Sequence, residues 1–233
     1  MPYFLSKDKQ IEVVEFAPSR TGKFPALLIL HGANGPMSTF IGNYAQHLAN
    51  IGYVVLFVHY FDRTNTYYAS PSEIREHFSE WIETLEDALR YCAQHPKVDP
   101  ERIGLIGYSL GGFLSLSLAS KNPRISAVVS IVGGIPENFA ERARHMPPAL
   151  ILHGANDTRV SVKEAYRVEE LLKRLKTPYE LKVYQGQGHF FHGYAQVDAL
   201  TRTFAFLQKH LHRKSPLNLF TPLLSQLLKA ATS

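Results

Sequence analysis

Disulfides within the chain are ruled out, because Cys92 is the only cysteine in 233 residues; a reducing compartment suits such a sequence. A strong excess of one charge is also lacking, and the chain is only mildly basic. Lys and Arg number 25 against 20 Asp and Glu, with no basic block, so no nucleic-acid partner is expected and only a mild pull on anionic small molecules remains. No apolar run approaches the length that spans a bilayer, and the opening MPYFLSKDKQIEVVEF lacks the charged-then-apolar order of a secretory leader. The expectation is therefore no membrane partner and a cytoplasmic location. Low-complexity tracts are missing as well. What is present, 45% hydrophobic residues, is enough to bury one ordinary core.

That hydrophobicity is organised as alternating strand-like and helix-like segments. Residues 26–30, 53–58, 102–107, 125–132 and 149–153 are almost continuously apolar, as parallel strands buried on both faces are. IEVVEF at 11–16 alternates polar and apolar residues in the manner of an edge strand, and 180–185 reads as another strand near an edge. Helical segments fill 38–52, 70–94, from 109 onward, 162–176 and 192–211; Ser70, Pro71 and Glu73 form a capping box with proline in the first turn. The order predicts an α/β fold, a doubly wound and mostly parallel sheet flanked by helices, with its ligand crevice at the carboxyl ends of the strands. One domain is expected over 1–213. Residues 214–233 form an amphipathic extension, with Leu219, Phe220, Leu223, Leu224, Leu227 and Leu228 at helical spacing. It would pack on its own domain, join two copies as a homodimer, or cover the crevice.

The strongest local signal is GYSLGG at 107–112, between an apolar strand and a helix. The G-x-S-x-G spacing suits a strained turn that lifts the Ser109 hydroxyl clear of the sheet, with Gly107 and Gly111 where side chains would collide. A serine hydroxyl needs a base, and histidine has the right pKa. Of eleven histidines, His189 lies in the glycine-rich loop YQGQGHFFHGY between a strand and the last helix. His192 is the rival, expected to begin or cap that helix. His31 and His153 end buried strands, where a neutral, hydrogen-bonded histidine is the ordinary case. The base needs a carboxylate to orient it, and Asp157 follows the strand at 149–153 in HGAND. Ser109, Asp157 and His189 thus occur in the chain order of a nucleophile-elbow enzyme. An oxyanion site would use the N–H of Leu110 and a second donor from HGANG at 31–35, Ala33 first and Asn34 second.

Together HGANG, DPERIGLIGYSLGG, HGAND and QGQGHFF resemble the dienelactone hydrolase family of α/β-hydrolases, over about residues 10–212. The resemblance implies hydrolysis of small carboxylic esters or lactones through an acyl-enzyme, with no metal and no cofactor. The family's namesakes use a cysteine nucleophile, whereas the matching position here is Ser109, so the chain is similar to a serine-nucleophile branch. Many α/β-hydrolases insert a cap domain after the strand that follows the nucleophile helix; GGIPENFAERARHMPP at 133–148 has room only for a loop or a helical turn or two. In the family, an arginine in a loop similar to 59–72 helps hold a substrate carboxylate. Arg63 would do so here, or else pair with Asp62 or solvent; Tyr60, Phe61, Tyr67 and Tyr68 would line a pocket or pack in the core. The fold also resembles the catalytic domain of prolyl-oligopeptidase-type peptidases, which gives peptide hydrolysis as a second reading. A ligand-binding protein with little turnover is a third.

Overall fold

The computed structural model describes residues 1–36 and 38–212, except for the side chains of residues 38–43; the expected extension over 214–233 lies outside the described residues. The chain opens with β1 (Tyr3–Ser6) and β2 (Lys9–Phe16), an antiparallel hairpin turned through Lys7 at φ 51°. Then come β3 (Phe24–Leu30), α1 (Ser38–Asn50), β4 (Val54–Val58) and a single 3-10 turn over Tyr60–Arg63. They are followed by α2 (Pro71–Gln94), β5 (Val98–Tyr108), α3 (Leu110–Lys121) and β6 (Ile125–Ile131). The chain continues through α4 (Glu137–Arg142), β7 (Ala149–Gly154), α5 (Lys163–Arg174), β8 (Tyr179–Tyr184) and α6 (Tyr194–Leu211).

The eight strands form a sheet in the order β1-β2-β4-β3-β5-β6-β7-β8, antiparallel at β1, β2 and β4 and parallel from there on. IEVVEF is a strand, but β1 supplies the edge; four residues are too few to show a period. The central strands are apolar throughout because helices cover both faces. On one face α2, α3 and α5 bury Trp81, Leu85, Leu114, Leu118, Val168 and Leu172; on the other α1 and α6 bury Leu48, Phe204, Leu207 and Leu211. The expected cap of α2 is formed: Ser70 Oγ accepts from Glu73 N, and the Glu73 carboxylate accepts from Ser70 N at 2.9 Å.

Two consequences bear on function. The carboxyl ends of β5, β7 and β8 lie along one rim, so the loops after them converge. Between β6 and β7 the chain spends only the six residues of α4 on helix, which leaves that rim without a large cap. No helix among the described residues is long and apolar enough to cross a membrane.

Candidate active site

Ser109 sits at the turn from β5 into α3 with φ 54° and ψ −117°, a conformation that costs a non-glycine residue on the order of 1–3 kcal/mol. The flanking glycines make that turn sterically feasible. A methyl on Gly107 would lie 2.1 Å from the Gly111 carbonyl oxygen, and one on Gly111 would lie 2.2 Å from that of Leu30. Backbone bonds fix the turn, from Ser109 N to Ile131 O at 2.9 Å and from Gly112 N to Ser109 O at 2.8 Å.

The loops after β7 and β8 are clamped together. A methyl on Gly154 would meet the Gly188 carbonyl oxygen at 2.2 Å, and Asn156 N donates to Gln187 O at 2.8 Å. This close approach sets Asp157 against His189, both nearly buried. His189 Nδ1 lies 2.7 Å from Asp157 Oδ2, and His189 Nε2 lies 3.0 Å from Ser109 Oγ. Because the carboxylate can only accept, Nδ1 carries the proton and the Nε2 lone pair faces the serine hydroxyl. Asp157 Oδ1 accepts from the N–H groups of Arg159 at 2.8 Å and Val160 at 2.9 Å. Burial pushes the Asp157 pKa up, but the Val160 N–H, the His189 hydrogen bond and the Arg159 N–H outweigh it and hold the carboxyl below its ordinary value. His192 is exposed, two residues before α6, and its N–H donates to Gln187 Oε1; Gly193, not His192, is the cap.

HGANG lies against the serine, since a methyl on Gly32 would stand 3.3 Å from Ser109 Cβ. Outside the helix and sheet ladders, nothing among the described residues accepts from the backbone N–H of Ala33 or Leu110. His31 supports this loop from below: Nδ1 donates to Gly32 O at 2.8 Å, and its ring stacks on Tyr60 at 4.1 Å. Burial lowers the His31 pKa to about 4.

Two expectations for the 59–72 segment change. Tyr60 is fully buried and its hydroxyl is spent on His31 O at 2.8 Å, so it braces the HGANG loop instead of lining a pocket. Arg63 is buried and turns toward the sheet edge, where it meets Asp8 at 3.3 Å and Glu80 at 3.8 Å; Asp62 is not its partner, accepting instead from Glu12 N. Arg63 is thus neutralised by two acids and is not drawn to Ser109. Phe61 packs in the core, whereas Tyr67 and Tyr68 are exposed.

Sequence reasoning passed over three neighbours of the site. The Tyr108 hydroxyl donates to His189 O at 2.7 Å, and burial raises its pKa. Phe190 is partly exposed, 5.5 Å from the His189 ring and stacked on Tyr108 at 6.0 Å. The Arg159 guanidinium lies 5.1 Å over the Phe190 ring, solvent-exposed. Tyr108 stands inside GYSLGG and Arg159 two residues past Asp157, so proximity to the motifs was the available signal.

The family model of the dienelactone hydrolase family matches residues 11–211. A probable 2-oxo-3-(5-oxofuran-2-ylidene)propanoate lactonase of Bradyrhizobium is 27% identical over 223 residues, covering 83% of this chain and 87% of that protein. Human acyl-coenzyme A thioesterase 1 is 30% identical over 166 residues, 71% of this chain, which spans only 36% of the thioesterase. A dienelactone hydrolase-like promiscuous phosphotriesterase from metagenomic libraries overlays with a TM-score of 0.79 at 18% identity, covering 90% of this chain and 97% of that one. At that identity the overlay speaks for the fold.

Proposed function

The chain belongs to the dienelactone hydrolase family of α/β-hydrolases, and from that premise we propose that it is a serine hydrolase cleaving small carboxylic esters or lactones through an acyl-enzyme. The observation that carries this reading is the unbroken line from Ser109 Oγ through His189 to Asp157, at 3.0 Å and 2.7 Å. Ser109 Oγ attacks the carbonyl carbon while His189 Nε2 takes its proton. Asp157 holds the resulting imidazolium. The N–H groups of Leu110 and Ala33 receive the oxyanion, each worth about 3–4 kcal/mol in the transition state. The tetrahedral adduct collapses, the bond to the leaving oxygen breaks, and His189 passes its proton to that oxygen. Water then attacks the acyl-enzyme with His189 again as base; collapse returns the proton to Ser109 and releases the acid.

Arg159 supports a preference for substrates that carry an anionic group. It is exposed beside the reacting residues, and its guanidinium packs on Phe190 without an acidic partner among the described residues. The Bradyrhizobium relative is named for a lactone bearing a propanoate, which is consistent with such a preference. The thioesterase relative adds thioesters to the substrates worth assaying. A panel of short esters, lactones and thioesters tests the reading. Turnover of at least one class is expected, together with a fall of at least about 10³-fold in kcat in Ser109→Ala. Undiminished turnover in that variant would remove Ser109 from the mechanism.

A further inference from the structure

As sequence, His153 is a buried strand end with a satisfied ring. In the structure it lies behind the carboxylate that faces His189. Its side chain is wholly buried; Nε2 is 2.9 Å from Val160 O and 3.5 Å from Asp157 Oδ2. A carbonyl oxygen only accepts, so Nε2 carries the proton and donates it to Val160 O; Asp157 Oδ2 stands 3.5 Å from the same nitrogen, an electrostatic neighbour and not a hydrogen-bond partner. Nδ1 is buried with no hydrogen-bond partner among the described residues. A second proton there would be an unsatisfied buried donor, and burial accordingly lowers this group's pKa against the opposing pull of Val160 O, Asp157 and Glu164. His153 therefore stays neutral, with one tautomer, while His189 gains and loses its proton.

The bond to Val160 and the closeness of Oδ2 bear on Asp157. Its Oδ1 is pinned by the N–H groups of Arg159 and Val160. Oδ2 faces His189 on one side and the His153 N–H on the other. We propose that His153 is a positioning residue: its N–H anchors Val160, whose own N–H holds Asp157 Oδ1, and its electropositive edge beside Oδ2 keeps that oxygen on His189 Nδ1 without over-stabilising the imidazolium. The proposal rests on the serine-hydrolase reading for its kinetic consequence. Its electrostatic consequence at the Asp157 carboxylate is independent of that reading. The groups around the pair are few. His189 faces Asp157, Ser109 and Tyr108, with Phe190 and the Arg159 guanidinium beyond; His153 faces Asp157 and Val160 O, with Glu164 the next acid.

The test compares the full chain with His153→Phe, which keeps a ring but has no donor, and His153→Gln, which returns a neutral N–H near the Nε2 position. His189 is titrated by NMR, and kcat and KM are measured across pH. With His153→Phe the His189 midpoint is expected to rise by about half a pH unit, because the carboxylate, without the electropositive imidazole edge beside Oδ2, attracts the imidazolium more strongly. The acid limb of kcat/KM should move up with it, and kcat should fall about 10- to 100-fold at little-changed KM, as happens when a residue orienting a functional group is lost. His153→Gln should restore the wild-type midpoint and most of kcat. If His153→Phe does not fold, His153→Leu takes its place with the same expectation. An unmoved His189 midpoint in a folded donor-less variant overturns the proposal. So does a fall in kcat that His153→Gln does not relieve, which marks a packing role only. Failure of the serine reading looks different: the wild-type chain itself then has no activity dependent on Ser109, while the NMR titration still decides the role of His153.

Discussion

Arg159 and Arg63 illustrate how little an arginine's position in sequence says about its charge. Arg63 lies in an aromatic loop at the right end of the sheet, yet two acids from β-hairpin and helix, Asp8 and Glu80, take its guanidinium. Arg159 lies two residues past Asp157 and packs on an aromatic face, with no acidic partner among the described residues. If it holds a substrate carboxylate, Arg159→Ala should raise KM about 10- to 100-fold for a carboxylate-bearing ester. A neutral ester of the same length should be nearly unaffected. Equal losses for both esters would assign Arg159 to packing on Phe190. At this scale the triad candidates were legible, because Ser109, Asp157 and His189 each follow a recognisable strand and stand in a fixed chain order. Tyr60 was legible only as an aromatic that would line a pocket or pack in the core; its stacking on His31 and bond to His31 O reveal a brace. For Arg159 and His153 the sequence offers only nearness to Asp157; the packing on Phe190 and the bond to Val160 O are contacts in space.

The elements act on the site through close backbone approach. The string HGAN occurs twice, ending β3 and within the β7 exit, and each copy carries a buried histidine that bonds a carbonyl of its own loop. Among the described residues nothing outside the ladders accepts from the Ala33 N–H of the first loop, which lies against Ser109, while the second loop carries Asp157. Gly154 of the second copy is where the loop meets its neighbour, and Gly154→Ala should force the 154–157 and 187–189 segments apart. A loss of about 1–3 kcal/mol is expected, a fall of several degrees in Tm, with reduced kcat as Asp157 retreats from His189. Gly186→Ala is the comparison: nothing stands within 4 Å of that position and only its φ of 74° is strained, so it should cost about 1 kcal/mol and leave kcat near wild type. Similar effects from both substitutions would contradict the clamped-loop account. Helix and strand order was readable because apolar runs and the Ser70 capping box are local signals. The start of β5 at Val98, before the expected 102, was not, since polar Asp99, Pro100 and Glu101 interrupt the run and only pairing with β3 extends it.

The described residues form a mostly parallel sheet clothed on both faces, which encloses His31 and His153 and partly covers His47, His210 and His212. His31, His47, His153, His210 and His212 all have pKa values lowered, with burial the largest cause in each. A group whose folded pKa lies below its unfolded value binds fewer protons in the folded state, so its contribution is complete above pH 6.5 and is lost as pH falls. For His31, between 6.5 and about 4, that amounts to about 3 kcal/mol. Asp157 and Asp198, with lowered carboxyl values, lose stability in the same direction at lower pH; Asp62, raised by burial, opposes them. Stability should therefore fall between pH 7 and pH 4.5, and His31→Phe should flatten that fall in denaturant titrations; identical slopes in the two proteins would contradict the assignment. The topology that buries these groups also brings the ends of β5, β7 and β8 to one rim, and the central claim is that Ser109 at that rim is the nucleophile. Mass spectrometry of the intact chain after reaction with a fluorophosphonate tests it most directly. The account predicts one adduct per chain, mapped to the peptide carrying Ser109 and absent from Ser109→Ala. An adduct on another residue, or labelling that persists in Ser109→Ala, would contradict it.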